Sequence, residues 1–277
     1  MTETPAESFL ELPAGRFRAL TWGSGDETVL FLHGLTGVSE VWQPTIEALR
    51  PGHRCVALDL RGHGHSPQTP GHYSAGDMAR DVRDAITKLG VSVHLVGHSM
   101  GARVAIVVAA RYPELLHSAA IVDIGPEAST ANIADTVRGI SRRPERFADE
   151  AEALAFAFRT RIPTESDKRI LLARLCRESD GTLTWRSSRE ALIECVTAQR
   201  SRNYWAEWRG ISAPTVFIHG GASNEVSTAT ADRMVAENPR VRFERFEGVG
   251  HNIPLLAPEQ LAAVLYAHWT STSASAT

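Results

Sequence analysis

Gly97-His98-Ser99-Met100-Gly101 sets a serine between two glycines, a spacing that points to nucleophilic chemistry. The G-x-S-x-G pattern suits a strained strand-to-helix turn, where larger neighbours beside the serine would collide. Here it follows the apolar run Val93-His94-Leu95-Val96 and precedes a helix-like segment, Met100 to Tyr112, that Pro113 ends. That context makes Ser99 the candidate nucleophile. A serine hydroxyl is a poor nucleophile near neutral pH and needs an adjacent base. Of eleven histidines, His251 is the best placed, late in the chain in the Gly-rich loop Gly248-Val249-Gly250-His251. His33 and His219 end apolar runs before glycines and read as packing or loop-shaping residues. His98 flanks the serine, and its ring is expected to point away from the site. Negative charge developing on an attacked carbonyl oxygen needs fixed donors. The Met100 N–H, at a helix N-terminus, is one candidate. The Leu35 N–H, in the turn His33-Gly34-Leu35-Thr36-Gly37, is the second.

These residues need elements to hold them. Short apolar runs alternate with helical patterns, as in a parallel sheet covered by helices. Val29 to His33, Arg54 to Leu58, Val93 to Val96, Ala119 to Val122, Thr215 to Ile218 and Val241 to Phe246 read as strands. Each ends at a polar or Gly-rich cluster, so the clusters collect at the C-terminal sheet edge, where open α/β sheets bind ligands. Phe9–Leu12 and Arg16–Trp22, joined by Pro13-Ala14-Gly15, read as an antiparallel hairpin. From Glu127 to about Trp208 strand-like runs vanish and helical periodicity takes over, in Ala151 to Phe158, Arg169 to Cys176 and Arg189 to Val196. The expectation is an α/β core of residues 1–126 and 209–277, with a helical cap, 127–208, inserted between sheet strands.

His33-Gly34, then Asp59-Leu60-Arg61-Gly62-His63-Gly64-His65-Ser66, then the Ser99 elbow, then Gly250-His251 stand in this order along the chain. The order and spacing resemble the α/β-hydrolase family over roughly residues 9 to 268. The resemblance implies the α/β-hydrolase fold, a mostly parallel central sheet flanked by helices with an inserted helical cap. It also implies structural roles for Asp59 and Arg61 in shaping the sheet and the site wall. Relatives commonly place a catalytic acid about three residues beyond Gly220, where this chain reads Ser223. Two substitutes stand open. Asp123 ends the run Ala119-Ala120-Ile121-Val122-Asp123, and Glu225 lies two residues past the usual position. A strand end holds a carboxylate more rigidly than a loop, which favours Asp123. The pattern is similar to the branch of the family containing 2-(acetamidomethylene)succinate hydrolase.

The expected chemistry is acyl transfer. Ser99 attacks an ester or amide carbonyl, His251 moves the proton, and water releases the acyl group. No metal or organic cofactor is implied. Alternatives on the same fold are a carbon–carbon bond hydrolase, a cofactor-free oxygenase and a non-enzymatic ligand receptor. An aspartate would be expected at position 99 for a dehalogenase. The substrate is expected to be a small molecule, and one bearing a carboxylate is suggested by cap arginines. Arg138 and Arg159 are the candidates to hold it. Arg138 falls early in the cap, and Arg159 follows the apolar run Leu154 to Phe158.

Composition narrows the classes further. Apolar residues make up 43% and charged ones 22%, with a net charge of −3 and both signs interspersed. That balance argues against a dedicated binder of nucleic acid or a membrane surface. The N-terminus, Met1 to Gly15, has neither a basic nor an apolar signal region. Cys55, Cys176 and Cys195 show no metal-ligand spacing and read as free thiols, which suits a cytoplasmic location. Monomer and homodimer are left open.

Overall fold

The computed structural model describes residues 4–127 and 130–274. The chain runs β1 (Ala6–Leu12), β2 (Gly15–Trp22), β3 (Glu27–Leu32), α1 (Gln43–Ala48), β4 (His53–Leu58), α2 (Ala75–Leu89), β5 (Val93–His98), α3 (Met100–Arg111) and β6 (Leu116–Val122). An insertion follows: α4 (Thr130–Ser141), β7 (Arg146–Phe147), α5 (Glu150–Ala157), α6 (Glu165–Ala173), β8 (Leu175–Arg177), β9 (Leu183–Trp185) and α7 (Arg189–Arg200). The chain closes with α8 (Trp205–Gly210), β10 (Thr215–Gly220), α9 (Thr228–Glu237), β11 (Arg242–Phe246), α10 (Ile253–Leu256) and α11 (Pro258–Ala274).

The main sheet has eight strands in the order β1-β2-β4-β3-β5-β6-β10-β11. All pairings from β4 to β11 are parallel, while β1 pairs antiparallel with β2 and β2 with β4. This is the α/β-hydrolase architecture. Its central strands are mostly apolar and buried over most of their length because both faces are covered. Along β3, Leu30 and Leu32 join the core beneath α2, α3, α8 and α9, while Val29 and Phe31 join the core beneath α1, α10 and α11. The same alternation divides Val56 and Leu58 from Cys55 and Ala57 on β4. α2 shows how a single face suffices. Ser74 and Asp77 form a capping box at its start, Gly90 ends it at φ 74°, and Met78, Val82, Ala85 and Ile86 are its buried stripe. α3 is buried from Met100 to Ala109, which explains its run of Ala and Val with almost no polar face.

The insertion differs from an all-helical reading. Arg169 to Cys176 does not continue as a helix: α6 stops at Ala173, Arg174 caps it, and Leu175–Arg177 becomes a strand. That strand pairs antiparallel with β9, and β9 with β7, forming a three-stranded sheet. The physical reason is tertiary. Leu175 and Leu183 bury together with Phe147, Ala153 and Leu171 in a small separate core, which outweighs the local helical pattern. α8 runs across position 208/209, so a boundary drawn there falls within a helix. Its Trp205 and Trp208 bury in the main core against α3 and α9. Among the described residues no helix is long and apolar enough to cross a membrane.

Candidate active site

Ser99 joins β5 to α3 with φ 53° and ψ −116°, outside the conformations an ordinary side-chain-bearing residue prefers. The two glycines of the motif make this turn fit. A Cβ on Gly97 would collide with the carbonyl of Gly101, and one on Gly101 with the carbonyls of Leu32 and His33. The helix start is thereby pressed onto β3 and β5. Strain of this kind persists where surrounding structure holds it, and here the Ser99 N–H donates to the Val122 carbonyl at 3.0 Å.

His251 follows β11 in the loop before α10. Its Nε2 lies 2.9 Å from the Ser99 Oγ, and its Nδ1 lies 2.7 Å from Oδ2 of Asp123. Asp123 follows β6, also at positive φ (50°), and is fully buried. Burial alone would push its carboxyl up. Hydrogen bonds from His251, from the Ser223 hydroxyl at 2.5 Å and from the Gly220 N–H at 2.9 Å hold it below its usual range instead. The carboxylate therefore stays ionised, and the ring tautomer that satisfies both contacts carries its proton on Nδ1. Nε2 is left to accept from the serine.

Ser223, at the position where the sequence pattern leads an acid to be expected, donates instead to Asp123. Glu225 also lines the cavity over Ser99, but it does not reach His251. Its carboxylate pairs with Arg200 at 3.0 Å. His98 does not turn away from the site. It is buried with its pKa pushed down to about 3 by desolvation and by the nearby His251, so it is neutral. Its Nε2–H donates to the His251 carbonyl at 2.9 Å, which braces the histidine loop.

The turn after β3 is braced from beneath. His33 accepts the Leu60 N–H at 3.0 Å through Nε2 and contacts the Gly34 carbonyl at 2.8 Å through Nδ1. The Thr36 N–H donates to His63 Nε2 at 3.2 Å. Asp59 accepts from the Ser39 N–H and hydroxyl, the His65 N–H and Arg18, and Arg61 makes two bonds to Asp81. Both sit in the framework, away from Ser99. Leu35 lines the cavity over Ser99. Met100 opens α3, so its N–H is among the first four that a helix leaves without an internal acceptor.

A cavity of about 300 Å³ covers Ser99 and His251. Core loops supply Leu35, Thr36 and Asn252, while the insertion supplies Thr136 from α4, Arg174 from the end of α6 and Arg200 from the end of α7. Arg138 and Arg159 are not brought there, which corrects their reading as substrate ligands. Arg138 is exposed and pairs with Asp135 one turn before it. Thr136 faces the cavity, and two residues further along a helix points to the opposite side. Arg159 is exposed past the end of α5, its guanidinium 5.2 Å from the Phe156 ring centroid. Arg174, Arg200 and His98 were not picked out as site residues from the sequence. His98 sits inside the motif and could have been, but nothing distinguished Arg174 from the other arginines of the insertion. A larger groove of about 760 Å³ lies at the N-terminal edge of the parallel strands, between Trp22, Arg50 and His53, away from all of these groups.

A model of the alpha/beta hydrolase family matches residues 29–264. The chain belongs to that family. It is 30% identical to the 2-(acetamidomethylene)succinate hydrolase of Mesorhizobium japonicum, over 86% of this chain and 85% of that one. It is 28% identical to an esterase of Mycobacterium tuberculosis, over 94% of this chain and 89% of that one. A crystal structure of E-2-(acetamidomethylene)succinate hydrolase matches the fold with a TM-score of 0.89, covering 95% of this chain and 98% of that one at 24% identity. Hydrolase activity is what the family and these relatives support for this chain. Their differing names leave the substrate to be argued from the site.

Proposed function

We propose that this alpha/beta hydrolase cleaves a carboxylic ester or amide bond of a small molecule through an acyl-enzyme, with Ser99 as nucleophile. His251 Nε2 takes the Ser99 proton as Oγ attacks the carbonyl carbon. The resulting oxyanion rests on the N–H groups of Leu35 and Met100. Asp123 holds the Nδ1–H tautomer and balances the charge of the imidazolium. His251 then gives its proton to the leaving alcohol or amine as the tetrahedral intermediate collapses. Water attacks the acyl-enzyme by the same route in reverse, releasing the acid and restoring Ser99. The insertion around residues 127–208 acts as a cap that narrows the site to small substrates.

The observation that carries this reading is the unbroken hydrogen-bond chain from Ser99 through His251 to Asp123. Every step uses groups of the chain and one water. A fluorophosphonate probe should label Ser99, and 4-nitrophenyl acetate should give a burst of nitrophenolate. Ser99→Ala should abolish the adduct and leave turnover roughly 10³–10⁴-fold above water at most. Full activity in Ser99→Ala, or a wild type that neither reacts with the probe nor shows a burst, would overturn the assignment.

A further inference from the structure

Three arginines stand at or beside the site, and two of them have partners. Arg200 is neutralised by Glu225. Arg103, on α3, lines a small adjoining cavity with Ser99 and Leu35. It meets no carboxylate among the described residues, but donates to the Gly125 carbonyl at 3.3 Å, and its guanidinium lies 5.7 Å from the Tyr204 ring centroid. The Arg174 side chain has no partner among the described residues. It lines the same cavity as Ser99 and His251, and no carboxylate among the described residues lies within ion-pair reach of it. Its Nε is out of solvent without a hydrogen bond. The one acid whose field reaches it is Glu40, which is already committed to Arg18 at 2.8 Å. Burial pushes the Arg174 pKa down, as expected of a guanidinium held in a low dielectric with its charge unmatched.

A partly buried guanidinium with its Nε sealed from water and no opposite charge beside it is costly, and a ligand that supplies that charge offsets the cost. We propose that Arg174 is the specificity residue of this site and binds a carboxylate carried by the substrate. The planar guanidinium offers Nε and one Nη side by side, the fork that a carboxylate accepts bidentately. Because a cavity of about 300 Å³ must hold both this carboxylate and the carbonyl attacked by Ser99, the two are joined by a short chain. The substrate class is then a monoester or monoamide of a short dicarboxylic acid. The inference rests on the acyl-hydrolase reading for its reaction, but the anion site itself can be tested apart from turnover.

Two measurements do this. The first compares kcat/KM for mono-4-nitrophenyl glutarate and its uncharged methyl ester. Wild type should prefer the carboxylate by about ten- to hundred-fold, the range of a charge-assisted bond. The preference should collapse toward one in Arg174→Gln, fall partway in Arg174→Lys, which keeps the charge and loses the fork, and stand unchanged in Arg138→Gln. The second measures binding of glutaramate and of neutral glutaramide to the Ser99→Ala protein by calorimetry. Glutaramate should bind more tightly, and adding Arg174→Gln should remove the difference. A wild type without charge preference in either measurement, or one whose preference survives Arg174→Gln, overturns the proposal even if the variants fold poorly. Binding that depends on Arg174 without turnover of any ester supports the anion site and sinks the hydrolase reading instead.

Discussion

Asp123→Asn is the substitution that most directly probes the site, because one atom changes and the geometry need not. Asp123 accepts three hydrogen bonds: Gly220 N–H on Oδ1, and both the Ser223 hydroxyl and His251 Nδ1 on Oδ2. An asparagine has one accepting oxygen and one NH₂. With the NH₂ toward His251, the imidazole must move its proton to Nε2 to accept on Nδ1, and it then cannot take the Ser99 proton. With the NH₂ toward Gly220, two N–H groups face each other in a fully buried place, at a cost of about 1–3 kcal/mol. The first arrangement avoids that clash, so the wrong tautomer should dominate. The expected loss in kcat is about 10⁴-fold, equivalent to about 5 kcal/mol at the transition state. Ester turnover and the rate of fluorophosphonate labelling of Ser99 both report it, alongside a urea titration to show that the fold persists. Glu225→Gln is the control. Its carboxylate pairs with Arg200 and not with His251, so its kcat should fall less than about ten-fold. If Glu225→Gln were crippled and Asp123→Asn kept its activity, the hydrogen-bond chain in the structure would not be the one that works.

Ser223→Ala removes one donor from a buried carboxylate, which should raise the Asp123 pKa and lower kcat by about ten- to hundred-fold. The acid limb of the pH–rate profile should move to higher pH, and an unmoved profile would deny Ser223 its part. Gly101→Ala drives a Cβ into the carbonyls of Leu32 and His33, and should cost about 1–3 kcal/mol or more in a urea titration. The buried histidines set the acid stability. His63, His94 and His98 are held down to about 3 by burial, while in the unfolded chain they titrate near 6.5. The unfolded state therefore binds more protons between these values. Stability should be complete above about pH 6.5 and decline as pH falls toward 3, by up to about 1.4 kcal/mol per pH unit for each histidine. A urea midpoint that does not change between pH 7.5 and pH 5 would contradict it.

The strands and the turn around Ser99 were legible in the sequence because their causes are local. A strand covered on both faces must be apolar throughout, as Val29 to Leu32 are, and a serine on a strained turn needs glycines two residues to either side. The antiparallel pairing of Leu175–Arg177 was not legible, because the residues that bury Leu175 lie elsewhere in the insertion.

The sequence by itself determined the chemistry available: one serine in an elbow, one histidine late in a glycine-rich loop, and acids at a few strand ends. Only the tertiary structure decided which of them meet. Ser99 and Asp123 reach His251 across 152 and 128 positions of chain, distances bridged by the sheet order that sets β5 beside β6 and β6 beside β10. The same holds for the arginines. Arg138, Arg159, Arg174 and Arg200 carry identical charges, and position along the chain favours Arg138 and Arg159, which do not line the cavity. Helix phase turns Arg138 outward, Glu225 neutralises Arg200, and the stop of α6 at Ala173 leaves Arg174 at the cavity without a carboxylate partner among the described residues. A charge acquires its role from what lies within a few ångströms of it, and that is set by packing between segments remote in sequence.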